Sequence, residues 1–316
     1  MKKNILIFGI TSQDGAFLSK LLIDKKYIVN GTTRRKKYKN LKNLSKLEIL
    51  NKIRIYQVEI NNYKQVFNLI KKLQPTHIYN FAGVNTIKES FENPLETFNS
   101  IVKGNLNILN SIKYYKNIKF FSALSAECFG YNLRNYVNEK TIMKPSNPYG
   151  YSKKIIFDII QNYRVNYKLK CCAGILFNHE SILRSNKYVT TKIIKNAILV
   201  KKNKIRKIEL GDIYSYRDWG WAPEYVYAMF KILFYNKFDE YIIATGKTYR
   251  VIDFVKITFE KLGLNYKNHL ETIKQKNRRK DNAFFRANTK KIEKDLKWKA
   301  KKNIYNIIDN LLKYHE

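Results

Sequence analysis

The sequence predicts a doubly wound α/β fold, in which helices cover both faces of a parallel sheet, with a smaller lobe toward the C-terminus. Two observations predict this. Through the first half of the 316 residues, short runs rich in Ile, Val, Phe and Tyr alternate with segments whose apolar residues recur at helical spacing. The short runs are apolar throughout, which is typical of strands buried on both faces of a parallel sheet. Ligands of such sheets bind beyond the carboxyl ends of the strands.

The predicted elements follow one another with short connections. The predicted strands are NILIFGI, YIVNGTT, KIRIYQVEI, THIYNFAG, KFFSAL and LKCCAGILF. The predicted helices between them are GAFLSKLLIDKK, YKQVFNLIKKL, a long segment from about Pro94 to Tyr115, and YGYSKKIIFDIIQNYRVNY. In the less regular second half, YVTTKIIKNAILVKK and VIDFVKITFEKLG predict helices, and KIEL and YIIATG predict strands. Trp219 and Trp221 are expected to pack in a core.

The composition fits a folded globular protein and limits its partners. Apolar residues make up 45% of the chain and aromatic residues 14%. The 61 Lys and Arg against 25 Asp and Glu give a net charge of +36, which suggests a polyanion as partner. The lysines are spread along the whole chain, so we interpret the charge as a compositional bias and expect no nucleic-acid binding. A small phosphate-bearing ligand would still gain from the positive field.

The cysteines and the hydropathy pattern indicate a reduced, cytoplasmic protein. Cys171 and Cys172 are adjacent, Cys128 is distant, and no metal-ligand spacing such as C-x-x-C occurs, so no metal is expected. The N-terminal apolar run is too short for a signal peptide, because Gln13 and Asp14 follow it closely. No apolar run approaches the length of a membrane span, and we expect no membrane contact.

The turn after the first strand, GITSQDG, is spaced for the pyrophosphate of a dinucleotide. Gly9 and Gly15 let the backbone approach a ligand, and the N-terminus of the following helix favours an anion. Ser12 stands where a further glycine is usual. We expect it in or near right-handed helical geometry, with its hydroxyl free to bond the pyrophosphate. Taken alone, the motif also fits an ordinary tight turn.

Two basic residues at the end of the second strand predict which dinucleotide binds. A fold that prefers NAD tends to have an acidic residue here, which holds the ribose hydroxyls. Arg34 and Arg35 instead offer charge to the 2′-phosphate of NADP. We therefore predict NADP. The alternative is that both arginines lie in a solvated loop.

Two segments near the fifth strand contain candidate catalytic groups. In NPYGYSK, Tyr149 and Lys153 are four residues apart and share one helix face. The Lys153 ammonium and a nicotinamide cation can lower the pKa of the Tyr149 phenol from about 10, which makes it a base for a hydroxyl proton. Glu127 follows the strand in SALSAECFG. It predicts a reaction that also removes a carbon-bound proton and expels water, the alternative being a helix or turn cap.

These features together resemble the extended short-chain dehydrogenase/reductases and, within them, the GDP-mannose 4,6-dehydratase family. The resemblance covers nearly the whole chain. The motifs are GITSQDGAFLSKLL, GTTRR, SFENPLETF, SAECFG, NPYGYSK, GILFNHES, YVTTKI, RDWGWAPEYV, IATG and RRKDNAFFRANTKKIEKDLKW. It implies a Rossmann-type NADP-binding domain of residues 1–175 plus about 210–245, and a substrate-binding lobe of residues 176–209 and about 246–316. It also implies a homodimer or homotetramer.

The resemblance implies an internal redox reaction that converts GDP-mannose to GDP-4-keto-6-deoxy-mannose. Tyr149 and Lys153 match the pair that oxidises C4, with NADP as hydride acceptor and later donor. Glu127 matches the acid/base that removes the C5 proton and expels the 6-hydroxyl as water, and Ser125 hydrogen-bonds nearby. The alternatives are a reductase or epimerase of the same fold, which should lack Glu127, a dehydratase of a related GDP-manno-heptose, and a catalytically idle NADP-binding or RNA-binding protein.

The resemblance also implies the binding residues. The substrate diphosphate is assigned to Asn178, Lys192, Arg217 and Arg278. The cofactor is assigned to Gly9, Thr11, Ser12, Gln13, Asp14, Gly15, Arg34, Arg35, Glu59, Phe81, Ala82, Gly83, Tyr149, Lys153, His179 and Arg184. The sequence departs from the family pattern where Ser12 replaces a glycine, Glu59 replaces an Asp, and Thr86 stands in place of a common His.

Overall fold

The computed structural model describes residues 3–34, 38–130, 136–235, 237–273 and 286–316. Its strands are β1 (Asn4–Phe8), β2 (Ile28–Thr33), β3 (Arg54–Gln57), β4 (His77–Asn80), β5 (Lys119–Ser125), β6 (Tyr136–Val137), β7 (Lys170–Leu176), β8 (Asn178–Glu180), β9 (Ile208–Leu210), β10 (Tyr216–Arg217), β11 (Trp219–Trp221), β12 (Glu240–Ile243), β13 (Tyr249–Arg250), β14 (Leu270–Thr272) and β15 (Arg286–Ala287). Its helices are α1 (Gln13–Asp24), α2 (Tyr38–Lys46), α3 (Tyr63–Leu73), α4 (Ile87–Glu92), α5 (Pro94–Phe98), α6 (Gly104–Ile112), α7 (Pro148–Asn166), α8 (Val189–Lys201), α9 (Ala222–Phe234), α10 (Val251–Lys261), α11 (Lys290–Leu296) and α12 (Ile304–His315).

A parallel sheet of seven strands organises the described part of the chain. The order across the sheet is β12-β7-β5-β4-β1-β2-β3, and each neighbouring pair is parallel. The chain leaves β1 toward β2 and β3 on one side and then returns to β4, β5 and β7 on the other. This reversal beside β1 opens a crevice at the carboxyl edge, where doubly wound folds bind ligands. The predicted fold class is confirmed.

Alternate residues of the central strands face two separate cores. In β1, Leu6 and Phe8 belong to one apolar cluster, whereas Ile5 and Ile7 belong to the other, and all four side chains are fully buried. A strand rotates successive side chains to opposite faces, so a strand covered on both faces must be apolar at every position. This explains why the strand segments lack polar alternation.

A third core lies outside the sheet. It joins side chains of α8, α10 and α12 with the two tryptophans of β11. Trp219 and Trp221 are 2% and 9% exposed, and Trp219 makes an edge contact with Phe254 at 5.3 Å between ring centroids. The expectation that both tryptophans pack in a core is confirmed. The division into two domains at the residues given above stays a prediction.

The long predicted helix from Pro94 to Tyr115 consists of three helical pieces. The α5 and α6 helices are joined by a π-helical turn at Asn99–Lys103, and α6 ends at Ile112. Such a turn often marks a functional site, because it changes the path of the helix. The helices α2, α4, α9, α11 and α12 had no prediction. In the described part of the chain, no helix combines the length and apolarity needed to cross a bilayer.

Candidate active site and nucleotide cleft

The turn between β1 and α1 requires both of its glycines. Gly9 has a φ of +75°, and a Cβ there would lie 2.7 Å from the amide nitrogen of Ala82, at the end of β4. A Cβ on Gly15 would lie 2.6 Å from the carbonyl oxygen of Gly9. Any side chain at either position would therefore collide with backbone. The predicted glycine turn packs against the end of β4 and starts α1 at the crevice.

Ser12 does not adopt the expected conformation. Its φ of −66° is ordinary, but its ψ of 167° is extended and not helical. The cause is its role as the N-cap of α1, because a capping residue keeps non-helical geometry while its side chain accepts a helix N–H. Its Oγ accepts the N–H of Gly15 at 3.0 Å. The hydroxyl oxygen is thus engaged by the helix, and only the hydroxyl proton is left for a ligand.

A cleft of about 1150 Å³ lies at the crevice. This volume exceeds the ~300–1,000 Å³ that is common for small-molecule pockets, as an elongated dinucleotide requires. The predicted cofactor residues that line it are Gly9, Thr11, Ser12, Arg34, Glu59, Phe81, Ala82, Gly83 and Arg184. They come from the β1 turn, the ends of β2, β3 and β4, and the segment after β8. A nucleotide would therefore fit with its phosphates at the N-terminus of α1.

Two arginines of the cleft have partners within the protein. Arg34 donates from Nη1 to Glu96 Oε1 at 3.0 Å, and both side chains are largely exposed. The Cζ of Arg184 lies 3.6 Å from the centroid of the Tyr188 ring, and its Nε lies 3.4 Å from Glu180 Oε2. The predicted Arg35 contact lies outside the described residues. Of the predicted pair Arg34 and Arg35, the structure therefore places Arg34 at the cleft.

Asp14 and His179 bind each other beneath the cleft. The Nδ1 of His179 lies 2.7 Å from the Phe177 carbonyl, and its Nε2 lies 2.9 Å from Asp14 Oδ1. Both ring nitrogens face acceptor oxygens, an arrangement that favours the doubly protonated, cationic form of His179. Burial alone would lower the pKa of His179, but the Asp14 carboxylate raises it on balance. Burial alone would raise the pKa of Asp14, yet His179 lowers it on balance.

This ion pair fixes α1 to the segment that begins with β8. Ser181 Oγ also donates to Gln13 Oε1 at 2.7 Å, and Gln13 Nε2 donates to the His179 carbonyl at 3.2 Å. Gln13, Asp14, Gly15 and His179 are not among the residues that line the cleft. The pairing with His179 neutralises the Asp14 charge. The positive end of α1 is therefore not cancelled by the carboxylate in its first turn.

Ser125, Tyr149 and Lys153 meet at the carboxyl end of β5. The Ser125 side chain hydrogen-bonds the Tyr149 hydroxyl. Lys153 Nζ lies 5.6 Å from the centroid of the Tyr149 ring and donates to the Ala123 carbonyl at 2.7 Å. The predicted geometry, in which α7 presents both side chains on one face, is observed. Because β5 is the neighbour of β4, the cluster is one strand away from the cleft.

In the protein without a cofactor, burial is the main influence on the pKa values of Tyr149 and Lys153. Burial is the main cause that raises the pKa of Tyr149 above its ordinary value of 10.0, and the Ser125 hydrogen bond opposes it. Burial also lowers the pKa of Lys153 to about 8. The predicted lowering of the Tyr149 pKa by the Lys153 ammonium is therefore not observed in the protein without a cofactor. A nicotinamide cation would have to supply that effect.

Glu127 lies just beyond β5, in a 3₁₀ turn at Ala126–Phe129. The turn is capped by Ser125, whose Oγ accepts the Glu127 N–H at 3.3 Å. Glu127 therefore does not cap this turn, and its carboxylate instead accepts from Asn147 Nδ2 at 2.9 Å through Oε2. A Cβ on Gly150 would lie 2.6 Å from the Glu127 carbonyl oxygen, so α7 and the turn approach as closely as glycine allows.

The predicted substrate residues are only partly brought together. Asn178 is the Cα partner of Trp219 in the parallel pair of β8 and β11, two positions after Arg217. Arg217 donates from Nη1 to the Tyr216 carbonyl at 2.6 Å. Lys192 is exposed on α8 and donates to the Glu209 carbonyl at 2.6 Å. Arg278 lies outside the described residues. Asn178 and Arg217 therefore lie near each other, and Lys192 is held on another element.

Some residues of the site had no prediction. Asn147 had no assigned role, although Asn before Pro at the start of a helical pattern signals an N-cap. Lys42, Asn43 and Lys46 of α2 line the cleft, but the α2 helix itself was not predicted. Thr86, which departs from the family pattern, caps α4 by accepting the Glu89 N–H at 3.2 Å. Its departure therefore has a local structural role.

Solved structures of similar shape define the class of the protein. A dTDP-glucose 4,6-dehydratase from Bacillus anthracis, in complex with NAD, matches with a TM-score of 0.86 at 20% identity, over 99% of this chain and 96% of that chain. RMD from Pseudomonas aeruginosa, complexed with NADPH, matches with a TM-score of 0.81 at 15% identity over 99% of both chains. Together with the seven-stranded sheet and its glycine turn, these likenesses show that the protein has a Rossmann-type α/β fold.

Sequence relatives specify the family. A family model described as GDP-mannose 4,6 dehydratase matches residues 6–311. GDP-mannose 4,6 dehydratase 1 of Arabidopsis thaliana is 32% identical over 311 residues, covering 95% of this chain and 86% of its own. The GDP-mannose 4,6-dehydratase of Sinorhizobium fredii is 34% identical over 83% of this chain and 77% of its own. The chain belongs to the GDP-mannose 4,6-dehydratase family and is an enzyme.

Proposed function

We propose that this enzyme removes water from GDP-mannose by internal redox through bound NADP and releases GDP-4-keto-6-deoxy-mannose. The observation that supports this best is the grouping of Ser125, Tyr149, Lys153 and Glu127 at the carboxyl end of β5. A reductase or epimerase needs the first three groups. The additional carboxylate, held within the same site, supports an elimination, because removal of a carbon-bound proton requires a further base.

Tyr149 acts on the sugar 4-hydroxyl. Its phenol hydrogen-bonds Ser125 and lies beside Lys153, whose lowered pKa of about 8 shows that its burial disfavours the ammonium. Tyr149 takes the hydroxyl proton, while Lys153 and Ser125 hold the phenol in place. Bound NADP would supply the hydride acceptor for C4 and the hydride donor for C6, and its oxidised ring would supply the positive charge that stabilises a phenolate.

Glu127 acts on the neighbouring carbon. Oxidation at C4 makes the C5 proton acidic, because the resulting carbanion is conjugated with the ketone. Glu127 removes this proton and delivers a proton to the departing 6-hydroxyl, which leaves as water. One carboxyl group can serve both transfers, since the proton that it takes from C5 balances the proton that it gives to the leaving oxygen.

The choice of NADP over NAD depends on the end of β2. Arg34 lies at the cleft and is exposed, and no acidic residue stands at that position to hold the ribose hydroxyls. Asn178, Lys192 and Arg217 are proposed to bind the substrate diphosphate. Asn178 and Lys192 fall in the lobe that the sequence assigns to substrate binding, and Arg217 falls in the segment of about 210–245 that it assigns to the NADP-binding domain. A dimer or tetramer and a cytoplasmic setting remain predictions of the sequence.

The decisive experiment is incubation of the purified protein with GDP-mannose and NADP, followed by mass spectrometry of the nucleotide sugar. We expect a product that is lighter by one water. A product that gains two hydrogens at the expense of NADPH would instead indicate a reductase. An unchanged mass with an altered sugar configuration would indicate an epimerase. Either result would overturn the proposal.

A further inference from the structure

Asn147 connects the two halves of the proposed reaction. It is the N-cap of α7, the helix that presents Tyr149 and Lys153, and its Oδ1 accepts the Gly150 N–H at 2.8 Å. The other end of the same amide, Nδ2, donates to Glu127 Oε2 at 2.9 Å. A single planar side chain therefore fixes the start of the helix that bears the oxidising pair and one oxygen of the eliminating carboxylate.

The surroundings leave this amide little freedom. Asn147 is 2% exposed, and its cap bond determines which end of the amide faces Glu127. Because Oδ1 is used by the Gly150 N–H, the donor end must point at the carboxylate. The backbone of α7 at Gly150 also lies close to the carbonyl of Glu127, so helix and turn are in direct contact beside this amide. The carboxylate is thus located relative to Tyr149 by short, buried contacts.

We propose that Asn147 is a positioning residue for the elimination step, an inference that rests on the proposed function. Its N–H bond occupies Oε2 and favours the ionised carboxylate that the C5 deprotonation requires. Because the Nδ2 of Asn147 contacts Glu127, the contribution of Asn147 is assigned to the second step.

The substitution Asn147→Asp separates the two roles of the side chain. Aspartate is as good an N-cap as asparagine, so the cap on the Gly150 N–H survives. The donor to Glu127 is lost, and a second negative charge is placed beside the carboxylate. Like charges disfavour ionisation, so the base form of Glu127 should appear only at higher pH. Asn303→Asp is the matched control, because Asn303 caps α12 by accepting the Asn306 N–H at 3.0 Å.

The measurement compares both steps in wild type, Asn147→Asp and Asn303→Asp across pH. We expect Asn147→Asp to slow deuterium exchange at C5 on the order of 10-fold or more, a part of the ~10²–10⁴-fold that a general base supplies. The acidic limb of the exchange profile should move to higher pH. The rate of the first hydride transfer should match those of wild type and of Asn303→Asp, although the buried pair of carboxylates should lower the thermal unfolding temperature.

The outcomes distinguish this inference from the proposed function. Wild-type protein that releases no water from GDP-mannose would overturn the proposed function, and the inference would fall with it. An active wild type with an unchanged exchange profile in Asn147→Asp would overturn the inference alone. Equal slowing of both steps, accompanied by a lower unfolding temperature, would show that Asn147 acts only as a helix cap. That result would also overturn the inference. Asn147→Ser keeps a capping hydroxyl but lacks the amide Nδ2 that reaches Glu127, and it adds no negative charge. It should slow the exchange without moving the acidic limb of the profile to higher pH.

Discussion

Asp14 and His179, 165 residues apart in the chain, form a buried ion pair with Oδ1 and Nε2 at 2.9 Å, beneath the turn that faces the nucleotide cleft. The pair joins the first helix of the sheet domain to the short strand that follows β7. It also keeps the charge of Asp14 from opposing an anion at the N-terminus of α1.

The first prediction concerns the pH dependence of this pair. The pKa of His179 is raised above its ordinary 6.5, so the pair's contribution to folding is complete below about pH 6.5 and is lost as the pH rises through the folded-state pKa. On the acid side, the lowered pKa of Asp14 means that its contribution is present above 3.8 and is lost as the pH falls through the folded value. Urea unfolding of wild type should therefore show this extra stability between these limits.

Replacing the histidine tests the same pair directly. His179→Asn leaves a buried carboxylate without its cation and should lower the free energy of unfolding by about 3 kcal/mol near pH 5.5. The loss should be smaller at pH 9, where the wild-type imidazole is less protonated. His269→Asn, at a half-buried histidine outside the ion pair, is the control for the loss of an imidazole and should lower the free energy of unfolding less than His179→Asn does. A loss that does not vary with pH would mean that His179 is neutral in the folded protein.

The second prediction is that Arg34 and Arg35 set the preference for NADP. Charge-assisted bonds to the 2′-phosphate contribute roughly 1.5–3 kcal/mol each, so replacing both with Ala should weaken NADP binding by more than about tenfold and leave NAD binding nearly unchanged. Titration of both cofactors measures this. Replacing Lys71 and Lys72 together with Ala, which removes two exposed cations elsewhere, is the control for net charge. Equal losses for NADP and NAD would contradict the assignment.

Glu96 provides a second test of the same site. It competes for Arg34, and an exposed ion pair contributes at most about 1 kcal/mol. Glu96→Gln should therefore tighten NADP binding by up to about fivefold without affecting NAD. Weaker binding of both cofactors would show instead that the ion pair shapes the cleft wall.

The third prediction is that Ser12 is a helix cap and not a defect. Ser12→Ala should lower the free energy of unfolding by about 1 kcal/mol, and Ser12→Gly by only a few tenths, because the Oγ bond to the Gly15 N–H is lost. Since the φ of Ser12 is negative, glycine brings no relief of strain. NADP titration should show no gain in affinity for either variant. A large gain with Ser12→Gly would contradict this.

The fourth prediction is that Glu127 is needed for elimination but not for the first oxidation. In Glu127→Gln the amide oxygen can still accept from Asn147, so the fold should be kept. Turnover should drop by about 10²–10⁴-fold, while reduced nicotinamide appears and persists after mixing with GDP-mannose. The absorbance of the reduced nicotinamide and deuterium exchange at C5 measure the two steps. Near-normal dehydration with normal exchange would remove Glu127 from the mechanism.

The sequence by itself determined the sheet, the glycine turn and the grouping of catalytic residues. Continuous apolar runs required strands covered on both faces, and the carboxyl ends of adjacent parallel strands necessarily meet at one edge. Tyr149 and Lys153 share a face because α-helical periodicity places residues four apart side by side. These properties depend on local periodicity and on general rules of sheet topology, and both can be read from residue order.

Only the tertiary structure decided the partners of the polar groups. The bond of Asn147 to Glu127, the ion pair of Asp14 with His179, and the pairing of Arg34 with Glu96 join segments 20 to 165 residues apart. Sequence spacing does not encode which polar atoms meet. The helical geometry predicted for Ser12 was wrong for the same reason, because its bond to the Gly15 N–H depends on where α1 begins. The α9 helix was not predicted although its buried residues, among them Ala222, Tyr225, Val226, Met229 and Leu233, recur at helical spacing.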